Sequence, residues 1–129
     1  MHDKLNRVVL NLDNNITESF YNEIKNRSIG FSKDKKTNNC LLYDKNKIIK
    51  IDDHGNAIDL IDTTKIKISG VYNIENYMAA CGAVMDDVSI ASMQSVAYEF
   101  EGIEHRREKV RTVNGREFYN NSIDSSPYR

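Results

Sequence analysis

The chain has 129 residues, with 18 Lys and Arg against 19 Asp and Glu, and so carries a formal net charge of -1 at pH 7. This length predicts one domain with a modest core, and 40% hydrophobic with 29% charged residues indicates a globular rather than a disordered protein. The balanced charge disfavours binding to nucleic acid or to an anionic membrane. No apolar run approaches the roughly 20 residues that cross a bilayer, and the N-terminus lacks the apolar stretch of a signal peptide. We therefore expect a cytoplasmic protein.

The first third of the chain predicts a βαβ unit. Residues 7–12 and 28–32 are short apolar runs, typical of buried strands. Between them, Asn15 followed three residues later by Glu18 predicts a capping box at the start of a helix. The helix carries an apolar residue at every fourth position, which places these residues on one face: Ile16, Phe20 and Ile24.

The middle of the chain predicts a small antiparallel meander. Three short strands are expected at residues 40–43, 47–51 and 57–61, because polar turns separate them. Residues 65–69 alternate between polar and apolar side chains and predict one more strand.

Two helices are predicted next. Asn73 is placed to cap a helix from about residue 74 to residue 84, and Asp86 or Asp87 opens a second helix that Gly102 ends. Each helix has an apolar stripe, formed by Met78, Cys81 and Met85 in the first and by Ile90, Met93, Val96, Ala97 and Phe100 in the second.

A hairpin and a polar loop follow. Asn114 and Gly115 predict a type I′ turn between strands at residues 109–113 and 116–119. Residues 121–127 are polar and predict a loop that could bind a sugar hydroxyl or a carboxylate, although an ordinary turn has the same composition.

Two pairs of side chains are candidates for a binding site. Asn73 and Asn76 share a face of one helical turn, where carboxamides could hold the edge of a purine or a phosphate; the simpler alternative is that Asn73 only caps the helix. His105 and Arg106 enter the hairpin, and the guanidinium is suited to phosphate. A solvated pair balanced by neighbouring glutamates is the alternative for these two residues.

Several familiar motifs are missing from the sequence. It contains no G-x-x-x-x-G-K-[ST] loop, no G-x-G-x-x-G and no nucleophile with a paired base. Cys40 and Cys81 lack a CxxC spacing and are predicted to be reduced thiols, and no metal site is predicted. The residues alone therefore predict half of a nucleotide site, namely candidate binding side chains without a phosphate loop.

Four segments, taken in order, resemble the Mur ligase family. Residues 8–14 are similar to the family's VLNxDD strand and turn, and residues 70–80 resemble G-x-H-N-x-x-N-x-x-A-A. Residues 100–108 resemble F-x-G-x-x-H-R-x-E, and residues 120–127 are similar to N-D-S-x-x-[ST]-x-P. The resemblance spans almost the whole chain, and it is strongest to the branch of the family that adds D-glutamate.

The resemblance implies an α/β fold, namely the second half of the central P-loop-type ATPase domain (residues 1–104) and the start of the C-terminal domain (residues 105–129). The family uses ATP and magnesium to turn a carboxylate into an acyl phosphate, from which an incoming amine displaces phosphate. The implied substrates are UDP-N-acetylmuramoyl-L-alanine and D-glutamate, and the implied role is peptidoglycan synthesis.

By resemblance, Asn73 and Asn76 lie at the nucleotide, with Asn76 on the adenine side. Arg106 approaches the nucleotide from the domain junction, Asn121 stands where the family has an aspartate at the ribose, and Ser125 stands near the substrate. The resemblance assigns no catalytic residue and no metal ligand to this chain.

The sequence departs from the family's pattern at Tyr72, Asn121 and Ile123, which replace a histidine, an aspartate and a lysine. The phosphate loop and the magnesium-binding acid are expected outside these residues, so we expect the 129 residues alone to be inactive and to be able to self-associate through exposed strand edges. The alternatives are a non-catalytic nucleotide-binding or scaffold module and a ligase for another amino acid.

Overall fold

The computed structural model describes residues 7–68, 70–104, 106 and 108–122. The chain divides into two units, Met1–Glu99 and Phe100–Arg129. None of the helices within the described ranges is long and apolar enough to cross a membrane.

The first unit is built on a five-stranded sheet in which the order of the strands in space follows their order in the chain. Its strands are β1 (Val8–Asn11), β2 (Ser28–Ser32), β3 (Cys40–Asp44), β4 (Lys47–Ile51) and β5 (Ala57–Asp62). The first three strands run parallel, and β4 and β5 continue the sheet antiparallel. The predicted α/β class and the predicted meander are both confirmed.

Helices cover both faces of this sheet. They are α1 (Asn15–Glu23), α2 (Val71–Val84) and α3 (Ile90–Glu99). Because α1 connects the parallel strands β1 and β2, the predicted βαβ unit is confirmed. The core under α1 contains Leu12, Tyr21, Cys40, Leu42 and Ile51. The core under α2 and α3 contains Ile29, Phe31, Leu41, Ile48, Leu60, Ile61, Met78, Cys81, Met93 and Ala97.

The cap of α1 lies one residue earlier than predicted. The side chain of Asn14, rather than that of Asn15, accepts hydrogen bonds from the backbone N–H groups of Ile16 (2.9 Å) and Thr17 (3.3 Å). Asn14 has an extended backbone, which a capping residue needs, whereas Asn15 is already helical. The predicted capping box was therefore wrong, since two adjacent asparagines offer the same side chain and only the backbone decides between them.

The apolar stripe of α1 faces away from the core. Ile16 and Phe20 are 67% and 52% exposed, and Ile24 is also exposed. The residue that α1 buries is Tyr21, at 6% exposure, and its hydroxyl donates a hydrogen bond to the backbone oxygen of Asn38 (3.2 Å). This contact ties the connection between β2 and β3 to the underside of the helix.

The strand predicted at residues 65–69 is wrong in the described part of that range. The chain leaves β5 through a 3-10 helix, Thr63–Lys65, because the carboxylate of Asp62 accepts hydrogen bonds from the backbone N–H (3.0 Å) and the hydroxyl (2.6 Å) of Thr64. This local cap turns the backbone away from the sheet, and Ile66 then packs against the core. Ser69 lies outside the described residues.

The helix α2 begins at Val71, and Gly70 occupies the capping position with φ of 109°. Only glycine adopts this backbone conformation without strain, so the chain turns into the helix without a capping side chain. Asn73 is the third helical residue, and its backbone N–H donates to the oxygen of Gly70 (3.1 Å). Its predicted capping role is therefore wrong. The predicted stripe is confirmed, because these residues pack into or against the core: Met78, Cys81 and Met85.

The helix α3 begins later than predicted. Its first turn is capped by Ser89, whose hydroxyl accepts from the backbone N–H of Ser92 (3.2 Å). Asp86 and Asp87, the predicted caps, belong instead to the turn that ends α2, where the N–H of Asp87 donates to the oxygen of Val84 (2.9 Å).

The predicted stripe of α3 is only partly buried. Met93 and Ala97 lie in the core, whereas Ile90 and Val96 are exposed. The helix ends at Glu99, so Phe100 lies beyond it and is exposed, and Gly102, with φ of 102°, comes after the end that it was predicted to mark.

Gly30 allows the side chain of Leu12, which follows β1, to pack closely against the backbone of β2. A Cβ atom at Gly30 in β2 would lie 2.5 Å from Cδ1 of Leu12, and two further Leu12 atoms would lie within 3.0 Å. Leu12 thus occupies the space in which a side chain at residue 30 would stand.

The second unit contains a hairpin formed by β6 (Glu108–Val113) and β7 (Arg116–Asn120). Asn114 and Gly115 both have positive φ, 50° and 75°, as a type I′ turn requires, so the predicted hairpin is confirmed. The guanidinium of Arg111 lies 5.6 Å from the centre of the Phe118 ring.

Candidate nucleotide-binding edge

The carboxyl ends of β1 and β2 carry a connected set of polar groups. One carboxylate oxygen of Asp13, which follows β1, accepts a hydrogen bond from the Ser32 hydroxyl (2.5 Å), and the other accepts from the backbone N–H of Lys33 (2.9 Å). The Ser32 hydroxyl in turn accepts from the backbone N–H groups of Asp34 (3.0 Å) and Lys35 (2.7 Å). Ser32 is fully buried, so this set of bonds fixes the turn that leaves β2.

An ion pair connects this edge to α2. The Lys33 ammonium lies 2.8 Å from a carboxylate oxygen of Glu75, and both side chains are partly buried. The hydrogen bond to Glu75 raises the pKa of Lys33 above its ordinary value, so the Lys33 ammonium keeps its proton at neutral pH. The first turns of α2 are therefore held at the carboxyl edge of the parallel strands, which is the usual place for ligands in open α/β sheets.

Asn73 and Asn76 lie on these first turns, on either side of Glu75 in sequence. Asn73 is partly buried and Asn76 is exposed. The first turn of α2 holds no acidic side chain, so its partial positive charge is not neutralised from within the turn. Neutral amides at such a terminus can bind a nucleotide base or a phosphate oxygen.

The other candidate residues belong to a different part of the chain. Arg106 and Asn121 lie in the second unit, both exposed, and the backbone N–H of Arg106 donates to the oxygen of Ile103 (3.1 Å). Ser125 lies outside the described residues, as does His105. The structure thus brings Asn73 and Asn76 to one edge of the first unit, and the binding roles of all five residues, including Arg106, Asn121 and Ser125, stay predictions.

Sequence reasoning missed the residues that hold this edge together. Asp13 stands within one of the four quoted motifs and Glu75 within another, but their partners Ser32 and Lys33 carry no motif signal. The two contacts join residues 19 and about 40 positions apart in the chain, and such pairs are defined only by the strand order.

Metal and thiol chemistry find little support in the described ranges. No group of three or more His, Cys, Asp or Glu side chains there could hold a metal ion. Cys40 and Cys81 are both buried free thiols. Burial raises the pKa of both, that of Cys81 to about 11, so both are protonated at neutral pH and are poor nucleophiles.

Comparison with known proteins identifies the family. The family described as the Mur ligase middle domain matches residues 1–84, a span that includes the whole polar edge and the first turns of α2. The chain belongs to the Mur ligase family.

Similar proteins of this family are named UDP-N-acetylmuramoylalanine--D-glutamate ligase. That of Ruminiclostridium cellulolyticum is 45% identical over 123 residues, which are 95% of this chain and 26% of that protein. Those of Acetivibrio thermocellus and Clostridium acetobutylicum are each 41% identical, covering 95% and 98% of this chain and 26% and 27% of their own lengths. The chain thus spans about a quarter of the length of these Mur ligases, and the resemblance seen in the sequence is confirmed.

Proposed function

We propose that this chain is part of an ATP-dependent amide ligase that adds D-glutamate to UDP-N-acetylmuramoyl-L-alanine in peptidoglycan synthesis. The names of the similar Mur ligases support the substrates. The observation that carries the nucleotide role is the Lys33–Glu75 ion pair, because it holds the turns bearing Asn73 and Asn76 at the carboxyl edge of the parallel strands.

The residues of this edge fit a nucleotide base better than a metal ion. The exposed carboxamide of Asn76 can both donate to and accept from the edge of adenine, and Asn73 lies one turn nearer the helix terminus. ATP, when bound, supplies the phosphoryl group that activates the substrate carboxylate. The family resemblance implies that magnesium would take its protein ligands from outside these residues.

The remaining assignments rest on the motifs. Arg106 reaches the nucleotide from the domain junction, Asn121 hydrogen-bonds the ribose, and Ser125 contacts the substrate. The division into a central domain at residues 1–104 and the start of a C-terminal domain at residues 105–129 is supported by the change of unit between Glu99 and Phe100. In the same proposal, the 129 residues alone are inactive because their sequence contains no phosphate loop.

The test uses the full-length protein that contains this chain. With UDP-N-acetylmuramoyl-L-alanine present, phosphate release from ATP should depend on D-glutamate, and other amino acids should not replace it. Asn76→Ala should raise KM for ATP about tenfold, the equivalent of one or two lost hydrogen bonds. Asn22→Ala, an exposed asparagine of α1, is the matched control and should leave KM unchanged. A rate of phosphate release that does not depend on D-glutamate would refute the proposal.

A second candidate is a non-catalytic nucleotide-binding or scaffold module, which the replacement of a family histidine by Tyr72 and of a family aspartate by Asn121 favours. Calorimetry of the 129-residue chain with ATP and magnesium separates the two functions. Micromolar binding of ATP by this chain alone that Asn76→Ala abolishes would support the module, whereas the ligase proposal expects no measurable binding at this edge without the phosphate loop. Sedimentation of the same sample would test self-association through the edges of β1 and β5.

A further inference from the structure

A polar cavity lies at the end of the sheet opposite the nucleotide-binding edge, where the parallel strands begin. It has a volume of about 620 Å³ and is lined by residues that precede or open β1, β2 and β3, together with Lys50 near the end of β4. This size is within the range of roughly 300–1,000 Å³ that is typical of small-molecule sites.

The cavity is separate from the edge that carries Asp13 and α2. Ser28, the first residue of β2, lines the cavity, whereas Ser32, the last residue of the same strand, bonds to Asp13. A strand of this length spans about 15 Å, because each residue adds about 3.3 Å. A ligand of ordinary size in the cavity would therefore not reach the turns that bear Asn73 and Asn76.

Positive charge is concentrated in the wall of this cavity. Four of its lining side chains are cationic, Arg7, Lys25, Arg27 and Lys50, and one is a carboxylate, Asp53. The chain as a whole has nearly equal numbers of both signs, 18 against 19, so the excess is local.

Three of the four cations lack an ionic partner within the described ranges. Arg7 pairs with Asp86 at 2.5 Å, so its charge is already compensated by a carboxylate. Lys25, Arg27 and Lys50 make no ion pair with any residue that the structure describes. Like charges that converge on one concave surface repel each other, and a bound anion relieves that repulsion.

The backbone around the cavity is ordered by its own hydrogen bonds. A 3-10 helix, Lys25–Arg27, follows α1, and within it the N–H of Arg27 donates to the oxygen of Ile24 (2.9 Å). The buried side chain of Tyr21 forms part of the lining, and its hydroxyl donates a hydrogen bond to the backbone oxygen of Asn38, another lining residue (3.2 Å). Asn38 and Asn39 line the same wall and supply neutral amide donors, although the Asn38 carboxamide, which has two N–H donors, already donates to the backbone oxygen of Asp53 (2.9 Å).

We propose that this cavity binds a small anion that carries phosphate groups, such as a diphosphate or a sugar phosphate. The planar guanidinium of Arg27 can donate two parallel hydrogen bonds to one phosphate group. Lys25 and Lys50 supply point charges to the same or a second phosphate, and the asparagine amides bind the remaining oxygens. The site is independent of the nucleotide edge and of the ligase activity proposed above.

The test titrates the full 129-residue chain with inorganic pyrophosphate in a calorimeter at low salt. Arg27→Gln and Lys50→Gln should each weaken binding by about fivefold or more, because each removes a charge-assisted contact. Arg116→Gln in β7 and Lys45→Gln in the turn between β3 and β4 are controls that remove the same charge elsewhere. Circular dichroism would establish that all four variants are folded.

Amide chemical shifts locate the site during the same titration. The signals of Ser28 and Asn39 should move, and those of Asn73 and Asn76 should not. An equal loss of affinity in all four variants would show non-specific charge attraction and would overturn the proposal, as would shifts confined to α2. Undetectable binding at millimolar pyrophosphate, or much tighter binding to a single-stranded oligonucleotide, would overturn it as well.

Discussion

Ser32 is the single residue on which most of the nucleotide edge depends. Its hydroxyl donates to the carboxylate of Asp13 and accepts from two backbone N–H groups, and Ser32 itself is fully buried while Asp13 is partly buried. A buried hydroxyl with three partners stabilises mainly by preventing those partners from being left unsatisfied.

Ser32→Ala should therefore lower the free energy of unfolding by about 1–3 kcal/mol, because it leaves a carboxylate oxygen and two N–H groups without a partner. Urea denaturation of the 129-residue chain would measure this loss. Ser19→Ala is the control, since the Ser19 hydroxyl bonds only to the oxygen of Ile16 on the exposed side of α1. We expect the control to change stability by less than about 0.5 kcal/mol, and equal effects of the two substitutions would contradict the prediction.

At the scale of single elements, α1 shows where periodicity succeeds and where it fails. The four-residue repeat correctly predicts a helix with Ile16, Phe20 and Ile24 on one side. It does not reveal which side faces the sheet, because the position of Tyr21 is set by the entry of the helix from β1 and by the contact with Asn38. The face of α1 that carries the buried Tyr21 should therefore contribute much more to stability than the face that carries the exposed stripe.

Tyr21→Ala should destabilise the chain by about 3 kcal/mol or more, as is usual when a buried aromatic side chain is removed. Phe20→Ala, on the exposed stripe, should change stability by less than about 0.5 kcal/mol. Equilibrium unfolding of both variants in urea would distinguish these outcomes. A larger loss for Phe20→Ala than for Tyr21→Ala would mean that the stripe, not the tyrosine, is the packed face.

Element boundaries were the least predictable features, and each error has a local cause. Two neighbouring asparagines hid the cap of α1, Gly70 replaced a capping side chain at α2, and Asp62 turned the chain out of the sheet where a strand was expected. The five strands of the sheet and the hairpin were predictable because short apolar runs, the polar turns between them and the Asn114-Gly115 turn are local signals, whereas alternation alone wrongly predicted a strand at residues 65–69. The ion pair that joins the nucleotide edge to α2 was not, since it depends on which strands become neighbours.

At the scale of the whole molecule, burial and ion pairing both raise the pKa values of groups that titrate at alkaline pH, and both therefore make the fold less stable as the pH rises into that range. Burial is the largest cause of the raised pKa of Cys40, Cys81, Tyr21 and Tyr77, so the folded chain keeps protons that the unfolded chain would lose. A group whose pKa is higher in the folded state stabilises the fold fully below its unfolded pKa and loses that contribution as the pH rises through its folded pKa.

For Cys81 this window runs from pH 9.0 to about 11. The free energy of unfolding of the wild-type chain, measured in urea, should fall across this range, and Cys81→Ala should reduce the fall by about 3 kcal/mol, because one pKa unit corresponds to about 1.4 kcal/mol. Met78→Leu, a volume-conserving change in the same core, should keep the wild-type slope. Identical slopes in the wild type and Cys81→Ala would contradict the assignment.

The contact between Gly30 and Leu12 has an evolutionary consequence. A Cβ atom at residue 30 would overlap the leucine side chain, so the two positions share one volume. Mur ligases in which residue 30 has become alanine should carry a smaller side chain at residue 12, and the two changes should be inherited together. Residues 12 and 30 should therefore co-vary among Mur ligases rather than change independently.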